Sequence, residues 1–423
     1  MSKSVIVIGG GVIGLSCAYY AARRGCVVTV LDPTPNGRNS CAYGSAGMVV
    51  PSHFVPLAAP GMIWTALRMM CNPRSPFFIK PTLNPEMIRW GLAFARASSE
   101  ENVRRSAPLL RDLSLASRKL FKELSTETGN PFSLVEKGLL MLCSTRKGFA
   151  HESATATQAK DLGLEAEVLS SSELQTLEPT LRTNVEGAVY FPQDAHLDPG
   201  HFLRQLEIEC LNLGVTFHHF SGRPVYQKDG RGITAIQAGE QLMEADEYVL
   251  CCGSWSTREA ASLGIDMPMQ PGKGYSLTIH KPAQLPRHCA ILTEARVAVT
   301  PIQESLRFAG TMEFDGFNDQ INPKRIEGII RSVPRYLPAF EEGHFEFARP
   351  WSGFRPVTPD GLPYIGRVRR YENLLVATGH AMMGLSLAPV TGSLISDIVL
   401  GSPPAIEISA LDPERFSKTK AKG

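Results

Sequence analysis

The chain carries nine cysteines in 423 residues but no CxxC pair and no regular cysteine spacing. That removes a disulfide framework and a cysteine-based zinc site, and it fits a reducing, cytoplasmic setting. Long apolar runs are missing too. Nowhere do about 18 apolar residues follow one another, so no membrane-spanning helix is expected. No metal-ligand spacing is found; Asp194, His196, His218 and His219 are read as surface or strand residues. Charge of one sign is scarce: 43 Lys+Arg against 41 Asp+Glu leave a formal net charge of +2. Such balance gives nucleic acid no footing. The one biased stretch is the terminal FSKTKAKG, with Lys418, Lys420 and Lys422. It reads as a solvated tail, with weak contact to an anionic membrane surface as the minority alternative. Repeats and low-complexity segments are absent. What remains is a globular chain, 43% hydrophobic and long enough for two domains.

What is present starts at the N-terminus. Residues 4–32 read SVIVIGGGVIGLSCAYYAARRGCVVTVLD. A short buried strand runs into Gly9, Gly11 and Gly14, spaced G-x-G-x-x-G. A helix follows with Leu15, Ala18, Tyr19 and Ala22 on one face, and a second strand closes in Asp32. Gly9 permits the tight turn, Gly11 lets a pyrophosphate approach the backbone, and Gly14 lets helix pack on strand. The helix N-terminus, with Val12 and Ile13, offers free N–H groups to phosphate oxygens. Asp32 is placed to accept hydrogen bonds from a ribose. A second glycine-rich segment, CAYGSAGMV at 41–49, and the strand-glycine EYVLCCGSWS near 250, ending in Gly253, favour FAD over NAD.

Further blocks make the pattern more specific: SAGMVVPSHFVPLAAPG (45–61), GKGYSLTI (272–279), FAGTMEFDGF (308–317), WSGFRPVTPDGLPYIG (351–366) and TGHAMMGLSLAPVTGSLISDIV (378–399). In order and spacing these resemble the D-amino-acid oxidase superfamily of flavoproteins, most nearly its bacterial D-amino-acid dehydrogenase branch. The resemblance covers nearly the whole chain. It implies an α/β FAD-binding, Rossmann-like domain interleaved with an α+β substrate domain built on an antiparallel sheet. Residues 1–60, 190–262 and 350–423 are assigned to the FAD-binding domain, and 61–189 and 263–349 to the substrate or cap domain.

The residues agree with that division. Asp198 as N-cap and Pro199 as first helical residue open a helix with Phe202, Leu203, Leu206 and Cys210 as its apolar stripe, stopped at Gly214. Residues 86–127 read as helical, with Ile88, Trp90, Leu92, Phe94, Leu109, Leu113, Leu120 and Phe121 as candidate core. Residues 137–145 and 273–313 alternate like strands of a sheet roofing the flavin. The proline-rich, apolar 51–81 reads as core, lid, or a surface for membrane contact or handover to a quinone.

Arg355 is the main site candidate. It lies between Trp351, Phe354 and Pro356, and a buried guanidinium is costly unless an anion meets it. The resemblance puts it beside the flavin, gripping the substrate carboxylate in two-point fashion and aiming the Cα–H at flavin N5 for hydride transfer. The imine that results is hydrolysed to a 2-oxo acid and ammonia, or stays cyclic for a proline. The competing role for Arg355 is an ion pair with Asp360. Tyr275 is the candidate second substrate ligand and His53 a candidate at the entrance, with Glu313 a structural acceptor. Ser45, Ala46, Gly47 and Met48 are expected against the isoalloxazine, and Val225 on the adenine side. Gly379, Met383, Gly384, Leu385 and Ser386 form a turn whose helix, starting near Leu385 and Ser386, aims its N-terminus at the pyrimidine end. FAD is expected to be non-covalent, although Cys41 lies near the right region. Relatives that oxidise glycine or sarcosine carry an arginine where this chain has Met382 and a tyrosine where it has Ala298, so a larger apolar side-chain pocket is implied.

The implied activity is oxidative deamination of D-amino acids, with electrons passed to a quinone or other carrier. A cytoplasmic protein peripheral to the inner face of the membrane would suit it. The alternatives are a D-proline or cis-4-hydroxy-D-proline dehydrogenase, an oxidase using O₂, a non-catalytic flavoprotein subunit and, weakest, an NAD-dependent dehydrogenase.

Overall fold

The computed structural model describes residues 2–33, 40–70 and 72–417. The lysines of the C-terminal tail lie outside the described residues. The N-terminal pattern forms as its glycines dictate. Strand Ser4–Ile8, helix Val12–Arg23 and strand Val27–Asp32 make a parallel βαβ unit. The sheet grows to six strands, in the order 364–367, 374–378, 247–250, 4–8, 27–32, 216–219. All neighbours are parallel except the first pair.

Its strands are apolar without alternation because both faces are covered. Val5, Val7, Val28 and Val30 pack under the helices. Ile6, Ile8 and Leu31 meet Ile233, Ile236 and Ala238 of a three-stranded antiparallel sheet. Helix Ala388–Val399 lies close on helix Val12–Arg23: a Cβ on Gly392 would stand 2.4 Å from the Ser16 carbonyl oxygen. Helix Pro199–Asn212 is capped by Asp198, whose side chain accepts from Gly200 and His201, and it buries the expected stripe.

A nine-stranded sheet forms the other half of the molecule. Its strands alternate along the chain with those of the smaller sheet. Most neighbours are antiparallel, but Cys289–Leu292 pairs parallel with Leu139–Cys143, and Phe77–Ile79 parallel with Ser305–Phe314, so the sheet is mixed rather than antiparallel throughout. Trp351–Val357, grouped with the nucleotide-binding segments in the sequence division, is its edge strand, paired with Gln270–His280. The outer face carries Tyr275, Leu277, Val299 and Phe308 against Ile329, Tyr336 and Phe340.

The long helical region breaks at Ser98–Ser99 into Pro85–Ala97 and Glu100–Thr128, with Ser99 capping the second. Trp90 is buried and donates to the Val357 carbonyl, and Phe94 stacks on it at 5.2 Å. Ile88 and Leu92, expected in the core, are 47% and 57% exposed. Two apolar stripes share this helix, and only the one containing Trp90 faces the sheet. Asp194 and His196, read as surface or strand residues, are both buried, and His196 lies in the short strand Ala195–His196.

Candidate active site

A cavity of about 520 Å³ lies between the two sheets. Its floor is the glycine turn. Gly9 has φ +108°, and a Cβ there would press to 2.6 Å from the Cys251 carbonyl oxygen. A Cβ on Gly14 would overlap the Gly9 carbonyl oxygen at 1.8 Å. Gly11 differs: among the described residues, its missing Cβ would meet only the Ser40 side chain, at 3.8 Å. The space over Gly11 is therefore room for a ligand. Gly11, Val12, Ile13 and Asp32 all line the cavity. Gly11 gives no side-chain cap, so the first-turn N–H groups of the helix are left for an anion. The Asp32 carboxylate accepts the Gly10 N–H.

The sequence reading missed Ser40. Its hydroxyl is buried, lines the same stretch and has no hydrogen-bond partner. An orphaned donor beside an open glycine and a helix N-terminus matches the chemistry of a phosphate group. The only sequence signal was a serine directly before the second glycine-rich segment. Arg307 was also missed. From strand Ser305–Phe314 it donates to the carbonyls of Ser45 and Tyr43, at 2.9 and 3.4 Å, and so ties that loop to the large sheet.

Several expected contacts fall differently. Ser45 lines the cavity with Ser40, Cys41, Ala42 and Gly44, but Ala46, Gly47 and Met48 lie behind it. Gly47 (φ +70°) backs onto the Leu197 carbonyl, and Met48 pairs with His196 in a short two-stranded sheet. Val225 is 62% exposed; the wall there is made by Phe220, Gly222, Arg223 and Pro224, which precede it. Gly253, Gly384 and Leu385 line the cavity, and Cβ positions on Gly253 and Gly222 meet no atom of the described residues within 4 Å. Gly379 instead serves a tight approach to Thr358, and Met383 packs into the core. The Ser386 hydroxyl accepts the Val50 N–H at 3.0 Å, linking the two loops around the site. The helix itself begins at Ala388, after a turn, rather than at Leu385.

Arg355 lines the cavity, and its guanidinium lies over Gly274, where any Cβ would collide with it at 2.2 Å. Its hydrogen bond is to the Thr311 carbonyl. Among the described residues it makes no ion pair with a carboxylate. Burial works against its charge and lowers its pKa, and Cys41 is the only group that opposes this. Asp360, the expected competitor, is taken by Arg415 through a two-point ion pair at 2.8 and 2.9 Å.

Tyr275 is a correction. It borders the cavity, but its hydroxyl donates to Glu313 among the outer-face residues, where Lys273, Asn322 and Arg325 also converge on that carboxylate. Strand alternation puts Tyr275 and Gly274 on opposite faces, and it is Gly274 that faces Arg355. His53 is also not in the cavity wall. Its Nδ1 is 3.0 Å from the Ser52 hydroxyl, and burial lowers its pKa to about 4. Ser52 in turn holds Asp194, whose carboxyl burial raises to about 7. Among the described residues no group of His, Cys, Asp or Glu is arranged to hold a metal ion.

Known proteins share this architecture. The chain is 34% identical over 419 residues to a D-amino acid dehydrogenase of Methylobacterium radiotolerans, covering 98% of this chain and 99% of the relative. A D-amino acid dehydrogenase of Granulibacter bethesdensis is 32% identical over 421 residues, with the same coverage. Among solved structures, glycine oxidase from Geobacillus kaustophilus superposes with a TM-score of 0.78 at 22% identity, over 98% of this chain and 99% of that one. L-proline dehydrogenase from P. horikoshii gives a TM-score of 0.71 at 18% identity, over 98% of each chain. The family model for FAD dependent oxidoreductases matches residues 4–398, and with the glycine cradle, the orphaned Ser40 and the half-buried Arg355 on one cavity, this chain belongs to the DAO family of FAD-dependent oxidoreductases.

Proposed function

We propose that the protein oxidises D-amino acids, converting the Cα–N single bond to an imine that water hydrolyses to a 2-oxo acid and ammonia. The observation that carries this is Arg355: a cavity-lining guanidinium with one carbonyl partner and no carboxylate. FAD, when bound, supplies the two-electron acceptor for the substrate Cα–H. Arg355 binds the substrate carboxylate through two parallel N–H donors and fixes its plane. Gly274 leaves room for the guanidinium itself, since a side chain there would collide with it. Met382 gives the wall an apolar, uncharged element, which suits an apolar substrate side chain. The nine-stranded sheet and its helices act as the substrate half, and the six-stranded sheet as the FAD half. FAD is held without a covalent link in this reading, and burial raises the Cys41 thiol beside the cavity to about 11.

Anaerobic mixing of the purified yellow protein with amino acids tests this. Bleaching of the flavin band is expected with D-alanine, D-phenylalanine, D-proline and cis-4-hydroxy-D-proline, and not with their L-isomers. Bleaching by L-isomers alone, or by none of these, would sink the proposal; bleaching by the two prolines alone would narrow it to a D-proline dehydrogenase. Electrons are then expected to leave rapidly to an added soluble quinone and slowly to air. Rapid reoxidation by air alone would mark an oxidase instead.

Among the described residues no helix is long and apolar enough to cross a membrane. We further propose peripheral membrane contact through helix Met62–Met70, which buries none of its residues and leaves Trp64 77% exposed, together with Leu83 beyond its end, which is 92% exposed. Co-sedimentation with vesicles containing anionic lipid is expected, and is expected to drop on joint Trp64→Ser and Leu83→Ser substitution. Equal pelleting of wild type and variant would remove the assignment.

A further inference from the structure

His380 is a buried imidazole that the reaction outlined above does not use. It follows Gly379 at the end of strand Leu374–Thr378, and a lone bridge joins its backbone to Val357, two residues beyond Arg355. It lines the cavity and is 3% exposed. Its Nε2 lies 2.9 Å from the Thr391 hydroxyl, which itself donates to the Leu387 carbonyl at 2.8 Å. A hydroxyl has one hydrogen. Because that hydrogen goes to Leu387, Thr391 accepts from His380, and Nε2 carries the ring proton.

Burial lowers the His380 pKa to about 3, with no charged neighbour acting on it, so the ring is neutral. A neutral ring protonated at Nε2 has a bare lone pair at Nδ1. That Nδ1 is buried and has no partner. A buried acceptor without a donor is destabilising and rare. His196 also has an orphaned Nδ1, but it does not line the cavity. His380 combines an unpartnered Nδ1 with a place in the cavity wall.

We propose that His380 Nδ1 contacts the cofactor directly, accepting a hydrogen bond from an N–H or O–H donor at the flavin end of bound FAD, and that Thr391 is the positioning residue that sets the required tautomer. This rests on FAD binding and not on the amino-acid substrate, so it stands or falls separately from the proposed activity.

The test is nitrogen NMR of protein labelled at histidine, as apoprotein and after FAD is restored. His380 is assigned by the signal lost in His380→Asn. In the apoprotein, Nδ1 is expected to resonate as an unprotonated nitrogen and to move towards the protonated range on FAD binding, with Nε2 unchanged. In parallel, fluorescence titration of apoprotein with FAD is expected to show His380→Leu binding about tenfold more weakly, the scale of one lost hydrogen bond. Thr391→Val is expected to bind more weakly than wild type by a smaller factor, since it no longer fixes the tautomer. An Nδ1 signal that does not move on FAD binding overturns the proposal whatever the leucine variant does, because leucine also disturbs packing. A wild-type FAD Kd in His380→Leu overturns it as well.

Discussion

Replacing Arg355 by leucine is expected to lower kcat/KM for a D-amino acid by about 30- to 5,000-fold, mainly through KM, while FAD stays bound. The magnitude follows from losing one partner of a buried charge pair, about 2–5 kcal/mol. Arg355 has five donor hydrogens, and its hydrogen bond to the Thr311 carbonyl accounts for little of that capacity. The leucine variant should fold, because among the described residues the guanidinium anchors no ion pair. Arg355→Lys keeps the charge but loses the planar two-point grip, so its loss should be smaller but still clear. Steady-state kinetics with the flavin content measured in each preparation decides the matter. An unchanged KM in Arg355→Leu would falsify the carboxylate-clamp role. A loss of flavin would show instead that Arg355 supports the fold.

The second large effect separates two glycines of one motif. Gly14→Ala is expected to destabilise the apoprotein, by about 1–3 kcal/mol, because its new Cβ would overlap the Gly9 carbonyl oxygen at 1.8 Å. Gly11→Ala is expected to leave the melting temperature of the apoprotein near wild type, since among the described residues its Cβ meets only Ser40, at 3.8 Å. Its cost should fall on FAD binding, where the methyl occupies ligand space. An overpacking penalty of about 1–3 kcal/mol corresponds to ~5- to 160-fold in Kd. Thermal melts of both apoproteins and FAD titrations provide the comparison. Equal melting losses in both variants would show that Gly11 is structural and that the space above it is not the ligand's.

Much of the cofactor half was legible in sequence because its signals are local. A glycine turn, a helix face and two strands within about thirty residues are short-range consequences of backbone sterics and periodicity. The Asp198 cap and its helix stripe were legible for the same reason. Failures began where the answer depended on which face of an element meets what. Tyr275 and Gly274 are neighbours, but strand alternation sends one to Glu313 and the other to Arg355, and only the pairing of the strand fixes which face is inward. Ile88 and Leu92 have the same apolar character as Trp90, yet the sheet beneath reaches one stripe. Val225 sits one residue past the wall it was expected to form.

The sequence by itself determined that this chain builds a parallel βαβ nucleotide site, carries a guanidinium among bulky neighbours, and joins a flavoprotein family over nearly its full length. Those are properties of contiguous residues. The tertiary structure decided what Arg355 lacks, because Asp360 proved to belong to Arg415, fifty-five residues along the chain. It also decided that the hydroxyl of Ser40 and the Nδ1 of His380 are without partners at the cavity. A missing hydrogen bond has no sequence signature. It exists only once every element that could have supplied the partner has been placed.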